Sequence, residues 1–136
     1  MPDKSAAVNP RKASDDARAV LHSLPRDPAR IQDIASAAGV RTRSTQAWVS
    51  CFAVLGKAQM HDVGRRRPLW SAADLPPKAQ WLMAVMQLPE QFSRREAESV
   101  GIHSLLLRAA EVAGMLRVSG LRKTATNSAT LWEVQP

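Results

Sequence analysis

Three consecutive arginines, Arg65, Arg66 and Arg67, stand between Gly64 and Pro68. Guanidiniums held so close repel one another unless an anion is near. Each carries a planar fork of donors that fits a phosphate or a guanine edge. Upstream, Arg41, Thr42, Arg43, Ser44 and Gln46 form a second polar group. Arg pairs bidentately with guanine and Gln with adenine, while Ser and Thr hydroxyls reach phosphates. Both groups therefore suit recognition of a polyanion better than bond-making. Each also has a plainer reading: a solvated helix start, and a charged strand edge guarded against aggregation.

The residues that catalysis would need are poorly arranged. His22, His61 and His103 are scattered, with no His-x₃-His or Cys-His pairing. The single cysteine, Cys51, adjoins Phe52 on an apolar helix face and reads as a buried, inert thiol. Glu96 and Glu98 are two apart on a helix and diverge, and no Gly-rich phosphate loop occurs. No enzymatic activity, cofactor, metal or small-molecule substrate is expected. One cysteine excludes an intramolecular disulfide and a multi-cysteine zinc site, and fits a reducing compartment. Of the 136 residues, 45% are hydrophobic and 23% charged, a globular composition. The longest apolar runs, Trp81–Met86 and Leu105–Leu107, are too short to span a bilayer. The first 14 residues lack the apolar core of a signal peptide. The expected location is cytoplasmic, with no membrane partner.

The charge is unevenly placed. The whole chain carries 19 Lys+Arg against 12 Asp+Glu, a net of +7. Residues 1–77 hold 12 of the basic residues against 7 Asp, a net of +5, which leaves +2 for residues 78–136.

A repeat accounts for that division. Leu24-Pro25 returns as Leu88-Pro89, Ala38-Gly39-Val40 as Val100-Gly101-Ile102, and Leu69-Trp70 as Leu131-Trp132. Ala35 matches Ala97. Two apolar ladders, Thr45, Trp48, Phe52, Leu55 and Leu106, Ala109, Ala113, Leu116, both step by 3, 4 and 3 along one helix face. Two copies of one unit follow, residues 14–74 and 78–136, joined at 75–77 by a stiff connector ending Pro76-Pro77. Residues 1–13 read as a mobile basic arm with Lys4, Arg11 and Lys12.

Each unit reads as three helices and a hairpin. In the first, Ser14 caps a helix that stops at Pro25. Asp27-Pro28 opens the second helix, and Gly39 ends it. A polar turn at 41–44 leads to a third helix through Thr45, Trp48, Phe52 and Leu55. Residues 58–63 and 69–71 make the hairpin, with the arginines at its tip. The second unit places helices at 78–88, from the Ser93 cap to 100, and at 105–116. Its hairpin strands are 116–121 and 131–134, with the loop between them. The fold class is mainly α with small antiparallel β-hairpins. Trp48, Trp70 and Trp132 are expected in the core rather than as a stacking platform for single strands.

The stretch from Asp33 to Val49, DIASAAGVRTRSTQAWV, resembles the helix-turn-helix of bacterial winged-helix regulators. It shares an Ile-Ala pair, a turn Gly-Val and a Ser/Thr-rich start to the recognition helix. Leu55-Gly56-Lys57-Ala58 and Gly64–Pro68 are similar to that family's passage into the wing and to its wing tip. The first unit carries the likeness throughout. The second carries it more loosely, through Gly101-Ile102-His103-Ser104 and Leu131-Trp132. The first turn departs from the pattern by one extra residue. The resemblance implies a tandem winged helix-turn-helix that binds double-stranded DNA in a sequence-specific way. Such a protein would be a small bacterial, phage or plasmid transcriptional regulator, or an accessory factor in replication or maintenance.

The second unit is the poorer reader. It offers His103, Ser104 and Arg108 on its matching helix, and Arg122 and Lys123 in its wing loop. Leu107 falls off the core ladder, where a base reader would want a donor. Trp81–Met86 is apolar around more of its helix than one contact requires. This unit is expected to add backbone contacts and to pack on the first unit, on a second copy or on a protein partner. Met83 and Leu107 could also be ordinary exposed singletons. A different function remains open on the same residues: an adaptor or inhibitor that grips a protein partner through a winged-helix scaffold.

Overall fold

The computed structural model describes residues 10–64, 66–123 and 128–135. The first half comprises α1 (Pro10–Ser23), α2 (Ile31–Ala38), α3 (Thr42–Val54), β1 (Ala58–His61) and β2 (Leu69–Ala72). The second comprises α4 (Ala79–Met86), β3 (Phe92–Ser93), α5 (Arg94–Ser99), α6 (Ser104–Val112), β4 (Leu116–Lys123) and β5 (Ser128–Val134). Helices predominate, and two small antiparallel sheets complete the fold.

Backbone hydrogen bonds carry the internal repeat further than residue identity does. Gly39 ends α2 in the left-handed conformation, and the next N–H, of Val40, donates to the Ala35 carbonyl at 3.1 Å. Sixty-two residues on, the N–H of Ile102 donates to Ala97 at 2.9 Å beside left-handed Gly101. At the ends of the third helices, Lys57 bonds Phe52 at 2.8 Å and Met115 bonds Ala110 at 2.9 Å, a spacing of 58. The loss of four residues is one helical turn: α3 has 13 residues and α6 has 9. The longer β4–β5 hairpin restores the spacing, so that Trp70 corresponds to Trp132. In each half the tryptophan strand also pairs with the segment before the second helix, Ala29 with Trp70 and Phe92 with Trp132.

Several sequence expectations change. Leu116 is not the last rung of α6 but the first residue of β4, in the place of Ala58. α1 begins at Pro10 rather than Ser14, so the described part of the expected 1–13 arm is helical; residues 1–9 lie outside the described set. Proline suits a first helical position because its missing N–H has no helical partner there. α2 starts at Ile31, not at Asp27-Pro28, because both backbone groups of Ala29 are bonded to Trp70, at 2.9 and 2.8 Å. The turns of the two halves are equally long. Thr42, Arg43 and Ser44 already belong to α3, and both third helices begin three residues after the glycine. Arg122 and Lys123 lie in β4, not in a loop, and their side chains are outside the described set.

The two halves share one core. Val20, Ile34, Phe52 and Leu55 belong to the same buried cluster as Phe92, Ile102, Leu106 and Leu116. The element joining them is α6, which packs on α1 and α3 as well as on its own half. Leu107, expected outside the core, is therefore 3% exposed. A helix covered on two sides has to be apolar on two sides.

Candidate nucleic-acid interface

Three segments of the first half converge on a cleft of about 930 Å³: the start of α2, the first turns of α3, and the 62–68 tip between β1 and β2. Of the residues singled out in sequence, the fold brings Thr42, Arg43, Gln46, Arg66 and Arg67 together along it. All five are exposed. Arg41, also exposed, sits just outside as the N-cap residue of α3, and Ser44 is half-buried. Arg65 lies outside the described residues.

Local folding explains this placement. Thr45, Trp48, Val49 and Phe52 bury one face of α3, which turns Arg43, Gln46 and Ser50 to solvent. Gln46 Nε2 donates to Ser50 Oγ one turn on, at 3.1 Å, which steadies the amide on the exposed face. At the tip, Asp62 Oδ1 accepts the Gly64 N–H at 3.0 Å, and Gly64 holds φ at 83°. The side chain thus closes a tight turn before the arginines. Across the strands, His61 Nε2 and Ser71 Oγ lie 2.8 Å apart and tie the base of the hairpin.

The cleft gathers more than the sequence indicated. Arg30 and Gln32, from the start of α2, line it as well. The chain signal for Arg30 was hidden because Asp27-Pro28 looked like the helix start. Arg30 reaches Asp33 at 3.5 Å, an exposed pair in which both side chains remain solvated. Among the described residues, Arg41, Arg43, Arg66 and Arg67 enter no ion pair. Trp70 also lines the cleft while only 6% exposed, and its indole N–H has no partner among the described residues. Its counterpart Trp132 donates to Glu111 Oε1 at 3.3 Å. At the 58-residue spacing the position of Glu111 is held by Ala53, which has no acceptor to give.

The two halves treat the starts of their second and third helices differently, while α4, which follows Lys78, has no side-chain cap. α2 and α3 begin after arginines, Arg30 and Arg41, and neither has a side-chain cap. No side chain accepts from their first N–H groups, the positive end of each helix dipole, and both starts lie beside the cleft. In the second half, Ser93 accepts the Glu96 N–H at 3.2 Å and Glu96 returns a bond to the Ser93 N–H at 2.8 Å, a capping box. His103 Nδ1 accepts the Leu106 N–H at 3.2 Å and caps α6, so the neutral ring carries its proton on Nε2.

The second-half candidates are accordingly spent on the fold or stand apart. Exposed His103 is a cap, and Ser104 is the exposed first residue of α6. Arg108, half-buried, donates from Nη1 to Ser14 Oγ in α1 at 2.7 Å. It braces one half against the other instead of facing outward. Cys51 is buried, and burial pushes its thiol up to about 11, so it is protonated at neutral pH. Among the described residues, no three His, Cys, Asp or Glu side chains come together as metal ligands would, and no helix is long and apolar enough to cross a membrane.

Comparison with protein-family models, with curated proteins and with solved structures finds no match to this chain.

Proposed function

We propose that the chain binds double-stranded DNA in a sequence-specific way through its first half, built as a winged helix-turn-helix. The second half is a modified copy of the same unit that supports the first. The reading rests on the contrast between the halves. One leaves two helix starts uncapped, beside a cleft rimmed by Arg30, Arg43, Arg66 and Arg67. The other caps the starts of its second and third helices, α5 and α6, and sets Leu106, Leu107, Ala109 and Ala110 of α6 into the core. Uncapped N–H groups and solvated guanidiniums make a surface with an unmet demand for anionic oxygens.

In this arrangement Arg43 and Gln46 on α3 face base edges in the major groove, while Arg66 and Arg67 on the wing hold phosphates or enter a narrow minor groove. The cleft takes the sugar-phosphate strand between them. A small regulator of transcription, or an accessory factor of replication or maintenance, fits such a surface.

The test is fluorescence anisotropy on duplexes over a range of salt. For the unmodified chain, log affinity falls with log salt by about 0.9 per phosphate contact. Arg66→Ala with Arg67→Ala weakens binding to every duplex and flattens that slope by about 2. Gln46→Ala leaves the slope in place and relaxes preference at one base position by about 1–3 kcal/mol. Absence of any duplex binding at low salt overturns the reading.

A further inference from the structure

We infer that α4 is the contact face of a homodimer, in which two copies of α4 pack antiparallel across a two-fold axis. The helix, Ala79–Met86, contains no charged residue, in a chain of net charge +7. It turns Trp81 and Ala84 into the core, with Val85 packed alongside. Its other side carries Leu82, Met83 and Met86, which are 48%, 64% and 83% exposed. Met86 lies four residues after Leu82 and three after Met83, so it shares a face with both. Leu75, 47% exposed on the connector, belongs to the same stretch of chain. Scattered apolar residues are ordinary on a surface, but an uncharged stripe on one helix is a docking surface.

Charge selects a second copy as the occupant. A two-fold interface sets the same patch against itself, so a patch of one sign repels and an uncharged apolar one does not. The ends of the stripe then supply attraction. Exposed Lys78 is the N-cap residue of α4, and exposed Glu90 follows its C-terminal end. Neither enters an ion pair among the described residues. When two α4 helices run antiparallel, Lys78 of one copy meets Glu90 of the other, twice over, and the helix dipoles oppose. Parallel packing would set lysine against lysine. The flexible thioethers of Met83 and Met86 suit a surface that must mould to itself.

Sedimentation equilibrium of the full chain, without DNA, tests this. A helix about 12 Å long buries less than a standard interface, so the dimer forms reversibly as concentration rises towards roughly 1 mM. Met83→Glu with Met86→Glu is expected to stay monomeric throughout, with an unchanged circular dichroism spectrum because both side chains are exposed. Lys78→Glu alone, or Glu90→Lys alone, weakens dimerisation by about tenfold, since each reversal spoils two contacts. The double reversal restores it. A monomer at every concentration overturns the proposal, as does a dimer indifferent to the Met83 and Met86 changes. A dimer that the double reversal fails to rescue overturns the antiparallel geometry. None of these readings depends on DNA binding.

Discussion

Arginines that look interchangeable in the sequence end in different surroundings. Arg66 and Arg67 stand exposed on a hairpin tip, while Arg108 is half-buried against Ser14. The fork geometry is the same in each, and the neighbours decide its use. Arg108→Ala therefore removes a charge-assisted hydrogen bond between the halves. It is expected to lower stability by about 1 kcal/mol, read from denaturant midpoints, and to leave affinity for duplex DNA unchanged. Lost DNA binding at unchanged stability would assign Arg108 to the interface instead. Gln46 and Ser50 show the converse. Their i, i+4 spacing is visible in the sequence, but their hydrogen bond matters only because Trp48, Val49 and Phe52 bury the opposite face.

At the level of elements, glycines marked helix ends well, while the expected caps divided: Ser93 is used, Ser14 and Asp27-Pro28 are not. Gly39 and Gly101 end their helices as expected, at φ 71° and 96°. Asp27-Pro28 and Ser14 had the form of helix starts and are not used as such. One yields to the backbone pairing of Ala29 with Trp70, the other lies inside α1. Tertiary pairing overrides a cap worth about 1 kcal/mol. Gly56 is the element boundary with the most demanding geometry. It closes α3 at φ 83°, and the connector crosses it so closely that a β-carbon there would meet the Leu75 carbonyl. Gly56→Ala is expected to destabilise the chain by at least about 2 kcal/mol, seen as a lowered thermal midpoint. Gly64→Ala, where a β-carbon would meet nothing, carries only the backbone cost of about 1 kcal/mol.

For the whole molecule, the packing of α6 on α1 and α3 joins the two halves in one buried core. Each repeat is close to the lower size limit for an independent core. Full-length protein is expected to unfold in one transition, with calorimetric and van't Hoff enthalpies in agreement. Residues 10–77 or 78–136 alone should show no cooperative melt by circular dichroism. Two separate transitions in the full chain would mean that the shared core is not the unit of stability. The shared core also explains why the second half is a poor match to its own pattern. Its third helix packs on α1 and α3, and Arg108, in the place of exposed Gln46, bonds Ser14 of α1 instead of facing outward.

Read alone, the sequence determined the order of six helices and two hairpins, though not β3, and the arginines between the first hairpin's strands and the outward face of α3. These follow from local spacing and from residues with strong backbone preferences. Only the tertiary structure decided that Leu107 and Arg108 are internal, that Arg30 and Trp70 join the cleft, and that α6 is a turn shorter than α3. The reason is physical. Burial of one half against the other, and strand pairing across some forty residues from Ala29 to Trp70, depend on contacts between distant segments that no local pattern encodes.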